Sequence, residues 1–444
     1  MNVITRFPPS PTGFFHIGSA RTALFNHLFT AHAGGTMYLR FEDTDQKRSK
    51  KEYEDDILAG LAWLRIPYEL PKVFRQSERT SLYKDALQSL IEANKAYVSK
   101  EPAKDDPTKE VEVVRIKNPG SSITFTDLIR GDVTFDTAEL GDFVIARTID
   151  AALYHFTVVV DDAEMGVTHV IRGEDHISNT ARQILILEAL GYSRPQYAHI
   201  PLILAPDRSK LSKRHGAVSV NEYRAEGFLP EALVNYLALL GWNPGGEREI
   251  FALSEIATQF KLEDVQKAGA IFNVEKLLWF NHQYLAALSN DEYERRLAAF
   301  FAEQGREGPK NLAELIPLLH ERAQTLKEAT AIALEYDEIR REVDASAALL
   351  LNGAKTDAAN VKKHLAAVRG LLENISNVSF DSENVKAAIF PYASEHGRAS
   401  VLWPLRVALS GKEKSADPFT LAAFLGKETT LARVSSAIDT LSAV

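Results

Sequence analysis

The chain has 444 residues, 45% of them hydrophobic and 25% charged, more than one ordinary core absorbs; two to four globular domains are expected, and a fibrous or disordered protein is excluded. The absence of cysteine excludes a disulfide framework, a thiolate metal site and a cysteine nucleophile, and fits a reducing, cytoplasmic setting. A formal net charge of −9 argues against a large sequence-independent nucleic-acid surface, although residues 47–51 and 210–214 form local basic clusters.

Residues 1–10 lack the layout of a signal peptide, and the longest apolar runs, such as 232–242, are too short to span a membrane. Residues 3–7 read as a short buried strand. Pro8, Pro9 and Pro11 forbid both helix and interior strand after it, so a rigid loop follows. From Gly18 the apolar residues Ala20, Ala23, Leu24 and Leu28 recur at helical spacing, and Gly34-Gly35 stops the helix before a strand at 37–41. Strand, loop, helix, strand is a parallel βαβ unit.

Helices are expected at 52–64 and 81–94. A polar stretch, 100–110, marks an inserted module with strands at 113–116, 123–125 and 143–146, and the nucleotide fold is expected to resume near Arg147. Residues 156–160 read as a β-branched core strand ending at Asp161-Asp162. Beyond Gly216 the pattern is mainly helical, with amphipathic segments at 230–240, 311–336 and 361–375 and no fixed-period repeat. The fold class is therefore α/β, with a Rossmann-type nucleotide-binding domain interrupted by an insertion and followed by an all-α region.

Two stretches carry chemistry. Pro9-Ser10-Pro11-Thr12-Gly13-Phe14-Phe15-His16-Ile17-Gly18 joins the first strand to the first helix, where free amide N–H groups and the helix dipole favour phosphate. There His16 can donate to an α-phosphoryl oxygen and Gly18 permits close approach to the backbone. Lys210-Leu211-Ser212-Lys213-Arg214 can neutralise the charge growing on departing pyrophosphate. Singly, either reads more readily as an ordinary histidine or a solvated basic loop.

Together, and in this order on a split nucleotide fold, they resemble the two ATP motifs of class I aminoacyl-tRNA synthetases. Arg6-Phe7-Pro8-Pro9-Ser10-Pro11-Thr12-Gly13, Phe41-Glu42-Asp43-Thr44-Asp45, Val160-Asp161-Asp162, Ile171-Arg172-Gly173-Glu174-Asp175-His176 and Lys210–Gly216 narrow the resemblance to bacterial glutamyl-tRNA synthetases. It is specific from about residue 3 to 285 and weaker beyond, where Pro404–Gly411 and Leu425–Glu428 look like the anticodon-binding region. The resemblance implies activation of glutamate by ATP with Mg²⁺ as an enzyme-bound adenylate, then transfer to the 3′-terminal adenosine of tRNA for glutamate.

It further implies residues 1–96 and 147–222 as the halves of the catalytic domain, 97–146 as a shortened acceptor-end-binding module, 223–290 as a helical stem-contact region and 291–444 as the anticodon-binding domain. It assigns catalysis to His16, Gly18, Lys210 and Lys213, with Thr12, Gly13 and Ser212 also on ATP. Arg6, Ser10, Glu42, Tyr154 and Arg172 fall to glutamate. These side chains suit a substrate with two carboxylates and one ammonium, although which arginine meets which carboxylate stays open. Arg406 is the candidate tRNA contact. The partners implied are tRNA for glutamate, with tRNA for glutamine an open second acceptor, and the expected state is a monomer.

Many members bind zinc through cysteines just after an Ala-Tyr pair; here Ala96-Tyr97-Val98-Ser99 leads into a cysteine-free stretch, so no zinc is expected. Three rival readings fit the sequence less well. A truncated relative that glutamylates a tRNA anticodon base lacks a C-terminal domain, whereas about 150 residues follow here. A catalytically dead paralogue would have lost His16, Gly18, Lys210 or Lys213. A nucleotidyltransferase outside translation has no use for the glutamate pocket.

Overall fold

The computed structural model describes residues 2–70, 72–103, 108–212, 218–341, 343 and 345–443; Lys213 lies outside the described residues. The chain divides into two compact units, one of Met1–Phe300 with His320–Ala329, the other of Phe301–Leu319 with Thr330–Val444.

The first unit opens with β1 (Ile4–Phe7), and after the proline loop comes α1 (Ile17–His32), whose apolar stripe Ala20, Ala23, Leu24 and Leu28 is fully buried. Gly34 adopts a φ of 64°, ending the helix, and the Gly35 amide donates to the Thr30 carbonyl at 2.7 Å. The chain then enters β2 (Thr36–Phe41), parallel to β1, and passes through α2 (Lys51–Trp63) to β3 (Val73–Arg75), parallel to β2. The expected βαβ unit is present.

After α3 (Thr80–Glu92) comes an antiparallel excursion: β4 (Ala96–Pro102), β5 (Glu110–Ile116), β6 (Ser122–Asp127), β7 (Gly131–Asp136), β8 (Phe143–Thr148) and β9 (Ala151–Ala152). Strands β4, β5, β8 and β9 form their own sheet, in that order. The β6–β7 hairpin instead leaves it. Beyond α4 (Tyr154–Glu164), β10 (His169–Gly173), α5 (Ile177–Leu190) and β11 (Gln196–Ile200) complete a second βαβ unit, and β6 adds in parallel to β11, Asp127 opposite Tyr197. Mutual hydrogen bonds between Ile4 and Thr168, 2.8 and 2.9 Å, set β10 beside β1.

Residues 156–160 are not a strand but the core of α4. Phe156 through Asp162 are all buried, and a run enclosed on every side loses the alternation that would separate strand from helix. Helical winding turns Asp161 and Asp162 about 100° apart around one axis, so that Asp162 meets Arg6 and Asp161 meets Arg79, with Arg40 between the two.

The rest of the first unit comprises β12 (Ile203–Leu204), α6 (Val220–Ala225), α7 (Pro230–Leu239), α8 (Leu253–Gln259), β13 (Ala270–Ile271), α9 (Val274–Ala286) and α10 (Asn290–Glu303). The amphipathic stretch 311–336 proves to be two helices, α11 (Leu312–Arg322) and α12 (Leu326–Arg340). The break has a local cause. Thr325 accepts the Glu328 amide at 3.2 Å while the Glu328 carboxylate takes the Gln324 amide at 2.8 Å, a reciprocal cap that starts a new helix.

The second unit continues with α13 (Ala347–Asn352), α14 (Ala358–Glu373), α15 (Ser382–His396), α16 (Arg398–Ser410) and α17 (Pro418–Ser442), the last packed on α14, α15 and α16. Ser346, Asp357, Asp381 and Asp417 each cap the helix that follows. Among the described residues, no helix is long and apolar enough to cross a membrane.

Gly35 is the tightest glycine of the first βαβ unit: a Cβ there would stand 2.2 Å from the Val3 carbonyl oxygen. Gly35→Ala is expected to destabilise the first unit by about 1–3 kcal/mol, whereas Gly370→Ala, on the open face of α14 with nothing within 4 Å, should be neutral or stabilising. Thermal unfolding of both variants checks this.

Candidate functional site

A cleft of about 800 Å³ opens at the carboxyl ends of β1, β10 and β11. Its walls include Arg6, Ser10, Gly13, His16, Gly18, Glu42, Tyr154, Arg172, Lys210 and Ser212. Thr12 does not line it; its amide donates to the Ser10 carbonyl at 2.8 Å and tightens the loop.

One wall is the start of α1. His16 is its N-cap, and its Nδ1 accepts the Ser19 amide at 3.2 Å. That acceptor role leaves the proton of a neutral ring on Nε2, which lies 3.0 Å from Ser19 Oγ. The ring is open to the cleft, yet the surrounding protein and the Lys210 ammonium hold its pKa below the usual histidine value. A Cβ at Gly18 would come within 3.0 Å of His16 Nδ1, so glycine here makes room for the imidazole itself as well as for a ligand. Phe15, fully buried beside it, fills the hollow left by Gly60, where a Cβ would approach to 2.5 Å.

The floor is a buried ion network. Arg6 Nε and Arg40 Nη1 both donate to Asp162 Oδ1, at 3.0 and 2.7 Å, and Arg40 Nη2 reaches Glu42 at 3.2 Å. Asp161 receives Gln76 at 2.8 Å, Arg79 at 2.7 Å and the Tyr83 hydroxyl at 2.9 Å. Burial alone would lower the Arg40 pKa, but Asp162, Glu42 and Asp161 reverse this and keep it charged. Asp162 is pushed up by burial and drawn further down by Arg6 and Arg40, so it is ionised. Glu42 differs: burial raises its pKa above the usual carboxylate value despite Arg40 and Arg6. Arg6 Nη1 is buried with no hydrogen-bond partner among the described residues.

Three arginines thus stand against three carboxylates. Arg172, 5% exposed, is outside this balance: its Nε meets His199 Nε2 at 3.2 Å and its Nη2 the Thr180 hydroxyl at 2.7 Å, and no carboxylate pairs with it among the described residues. Across from it, Tyr154 bonds His176 Nδ1 at 3.2 Å. Burial pushes the Tyr154 hydroxyl up to about 12, and burial with nearby Arg172 brings His176 down to about 4, so both are neutral near pH 7.

The mouth is polar. Lys210, 68% exposed at its side chain, lies 3.5 Å from Asp175. Exposed Phe14 is braced edge-on by Tyr53 at 5.1 Å. Arg406 belongs to the second unit, on α16, where its guanidinium covers the Trp403 ring at 4.8 Å and donates to the Glu413 carbonyl at 2.6 Å. Among the described residues no group of three or more histidines or carboxylates could hold a metal ion.

Sequence reasoning gave no role to Arg40 or His199, and quoted Asp175 and His176 only as part of a motif. Arg40 carried a signal, since a charged residue inside a strand destined for burial requires an anion nearby. Nothing local marked His199.

Residues 2–105 and 99–279 match the family described as tRNA synthetases class I (E and Q), catalytic domain, and residues 281–438 match an anticodon binding domain. A glutamate–tRNA ligase of Nitratidesulfovibrio vulgaris is 41% identical over 98% of this chain and 99% of its own length, and one of Geobacter sulfurreducens is 40% identical over 98% of each. Among solved structures, a glutamate–tRNA ligase of Elizabethkingia meningosepticum, in complex with its amino acid, superimposes with a TM-score of 0.81 at 31% identity, covering 99% of this chain and 100% of that one. The glutamate–tRNA synthetase of Elizabethkingia anophelis gives 0.80 at 32%, with the same coverage. With the class I catalytic match spanning more than half of the chain and the relatives matching end to end, this chain belongs to the glutamate–tRNA ligase family of class I tRNA synthetases.

Proposed function

We propose that this chain activates L-glutamate with ATP, as its magnesium complex, and then esterifies the glutamyl group to the 3′-terminal adenosine of tRNA for glutamate. The observation that carries this reading is Arg172, a buried guanidinium with neutral partners only, facing a cleft that also holds Glu42. A dianionic substrate bearing one ammonium supplies what each lacks. Arg172 takes one carboxylate, Arg6 offers Nη1 to the other, and Glu42 accepts the ammonium, with Tyr154 and Ser10 adding directional hydroxyls. Glutamine would leave one buried cation without its anion, a mismatch worth on the order of 10⁴-fold.

In the first step the glutamate α-carboxylate attacks the α-phosphorus and pyrophosphate departs, which calls for positioning and charge stabilisation more than for a side-chain base. His16 donates through Nε2 to an α-phosphoryl oxygen, Gly18 and Gly13 keep the approach open, and Thr12 holds the loop. Lys210, Ser212 and Lys213 steady the triphosphate, with magnesium carried on its oxygens. In the second step the terminal 2′-hydroxyl attacks the adenylate carbonyl and AMP leaves. In the second unit Arg406, already stacked on Trp403, serves anticodon recognition. The chain acts as a monomer in the cytoplasm, a setting that a cysteine-free composition suits.

Labelled glutamate and ATP should charge purified tRNA for glutamate, and Lys213→Ala should abolish this; no charging by the unaltered chain would refute the proposal. Parallel incubation with tRNA for glutamine reports whether that acceptor is also used. Steady-state kinetics should separate two roles: Arg172→Ala raises the glutamate KM by roughly a hundredfold, about 2.7 kcal/mol, while His16→Ala lowers kcat by about 10²–10³ with little change in either KM. The raised pKa of Glu42 sets a pH dependence. Only the ionised carboxylate pairs with ammonium, so the glutamate KM should fall as pH rises through a value above the ordinary carboxylate range, and Glu42→Gln should flatten that profile.

A further inference from the structure

The partners of Arg172 lead away from the cleft to a carboxylate on the inserted hairpin. His199, on β11, lies behind the guanidinium, and Asp127, the last residue of β6, lies behind His199. Asp127 Oδ1 accepts the amides of Ile129 and Arg130 at 3.0 and 2.9 Å. Its Oδ2 accepts the His199 amide at 3.0 Å and stands 2.6 Å from His199 Nδ1. The Asp127 and His199 side chains are both fully buried.

Donor and acceptor roles follow along this line. Burial pushes the Asp127 carboxyl up, but the His199 bond and the two amides bring it below its ordinary value, so it is an acceptor only. Nδ1 of His199 must therefore carry the proton. Burial keeps the ring neutral, so Nε2 presents a lone pair, which faces both Arg172 Nε–H at 3.2 Å and the Thr180 hydroxyl at 3.1 Å. Thr180 accepts Arg172 Nη2 at 2.7 Å, and no hydrogen bond among the described residues occupies Nη1 on the residue that lines the cleft.

We infer that Asp127 and His199 are positioning residues for glutamate: Asp127 fixes the His199 tautomer, the His199 lone pair fixes the plane of Arg172, and that plane aims the free edge of the guanidinium at a substrate carboxylate. The inference rests on the reading of Arg172 given above. It gives the inserted segment a part in amino-acid recognition through a chain of two hydrogen bonds, with neither Asp127 nor His199 lining the cleft. The arrangement parallels the outer-shell carboxylates that set the tautomer of metal-bound histidines.

Asp127→Asn tests it with an isosteric change. An asparagine keeps one oxygen for the Ile129 and Arg130 amides but turns its NH2 toward Nδ1 and the His199 amide, so the ring proton moves to Nε2 and meets Arg172 Nε–H, two donors facing each other. The expected result is a glutamate KM raised at least tenfold with the ATP KM within twofold. Nitrogen-15 NMR of the histidine rings should show His199 as the Nδ1–H tautomer in the unaltered chain and the Nε2–H tautomer in the variant. A switched tautomer with an unchanged glutamate KM, or equal rises in both KM values, overturns the proposal. An Nε2–H tautomer in the unaltered chain overturns it even if the variant does not fold. Arg172→Ala, measured alongside, separates the two levels: if it leaves the glutamate KM unchanged, the assignment of Arg172 itself fails.

Discussion

A guanidinium removed from water must find an anion or a dense set of acceptors, because the cost of leaving it bare is several kcal/mol. This chain buries Arg6, Arg40 and Arg172 almost completely in one region, and much of the first unit is arranged around that requirement. Asp162 serves two of them at once, and Glu42 and Asp161 share the remaining load of Arg40. The third is met by neutral acceptors alone. Arg172 therefore keeps a positive charge at the cleft with no carboxylate against it among the described residues.

Rigid elements hold this point. The arginines are on strands β1, β2 and β10, the two aspartates share the last turn of α4, and one wall of the cleft is the first turn of α1. What varies in exposure is the mouth, where Lys210 and Phe14 stand in solvent.

Much of this was legible in the sequence because the signals are local. Three prolines after a short strand, a glycine pair after a helical stripe and a histidine two residues before a glycine place the loop and the first helix without knowledge of the rest. The α4 segment was misread because total burial erases periodicity. Helix breaks were missed at Thr325, although Thr-Leu-Lys-Glu there is a capping signature that amphipathic counting overlooks. The pairing of Asp127 with His199 spans 72 residues and is fixed by strand order, so no window along the chain contains it. Lys213, singled out by its basic neighbours, has no described position to compare.

The ion floor joins positions 6, 40, 42, 76, 79, 83, 161 and 162, brought together from the first βαβ unit, the segment that follows β3, and helices α3 and α4. Contacts of such long sequence separation form late, since the entropy of closing the intervening loops must be met before they return anything. The charge balance therefore cannot exist in a nascent or half-folded chain. The floor of the cleft is complete only once the segment carrying Asp161 and Asp162 has docked against β1 and β2.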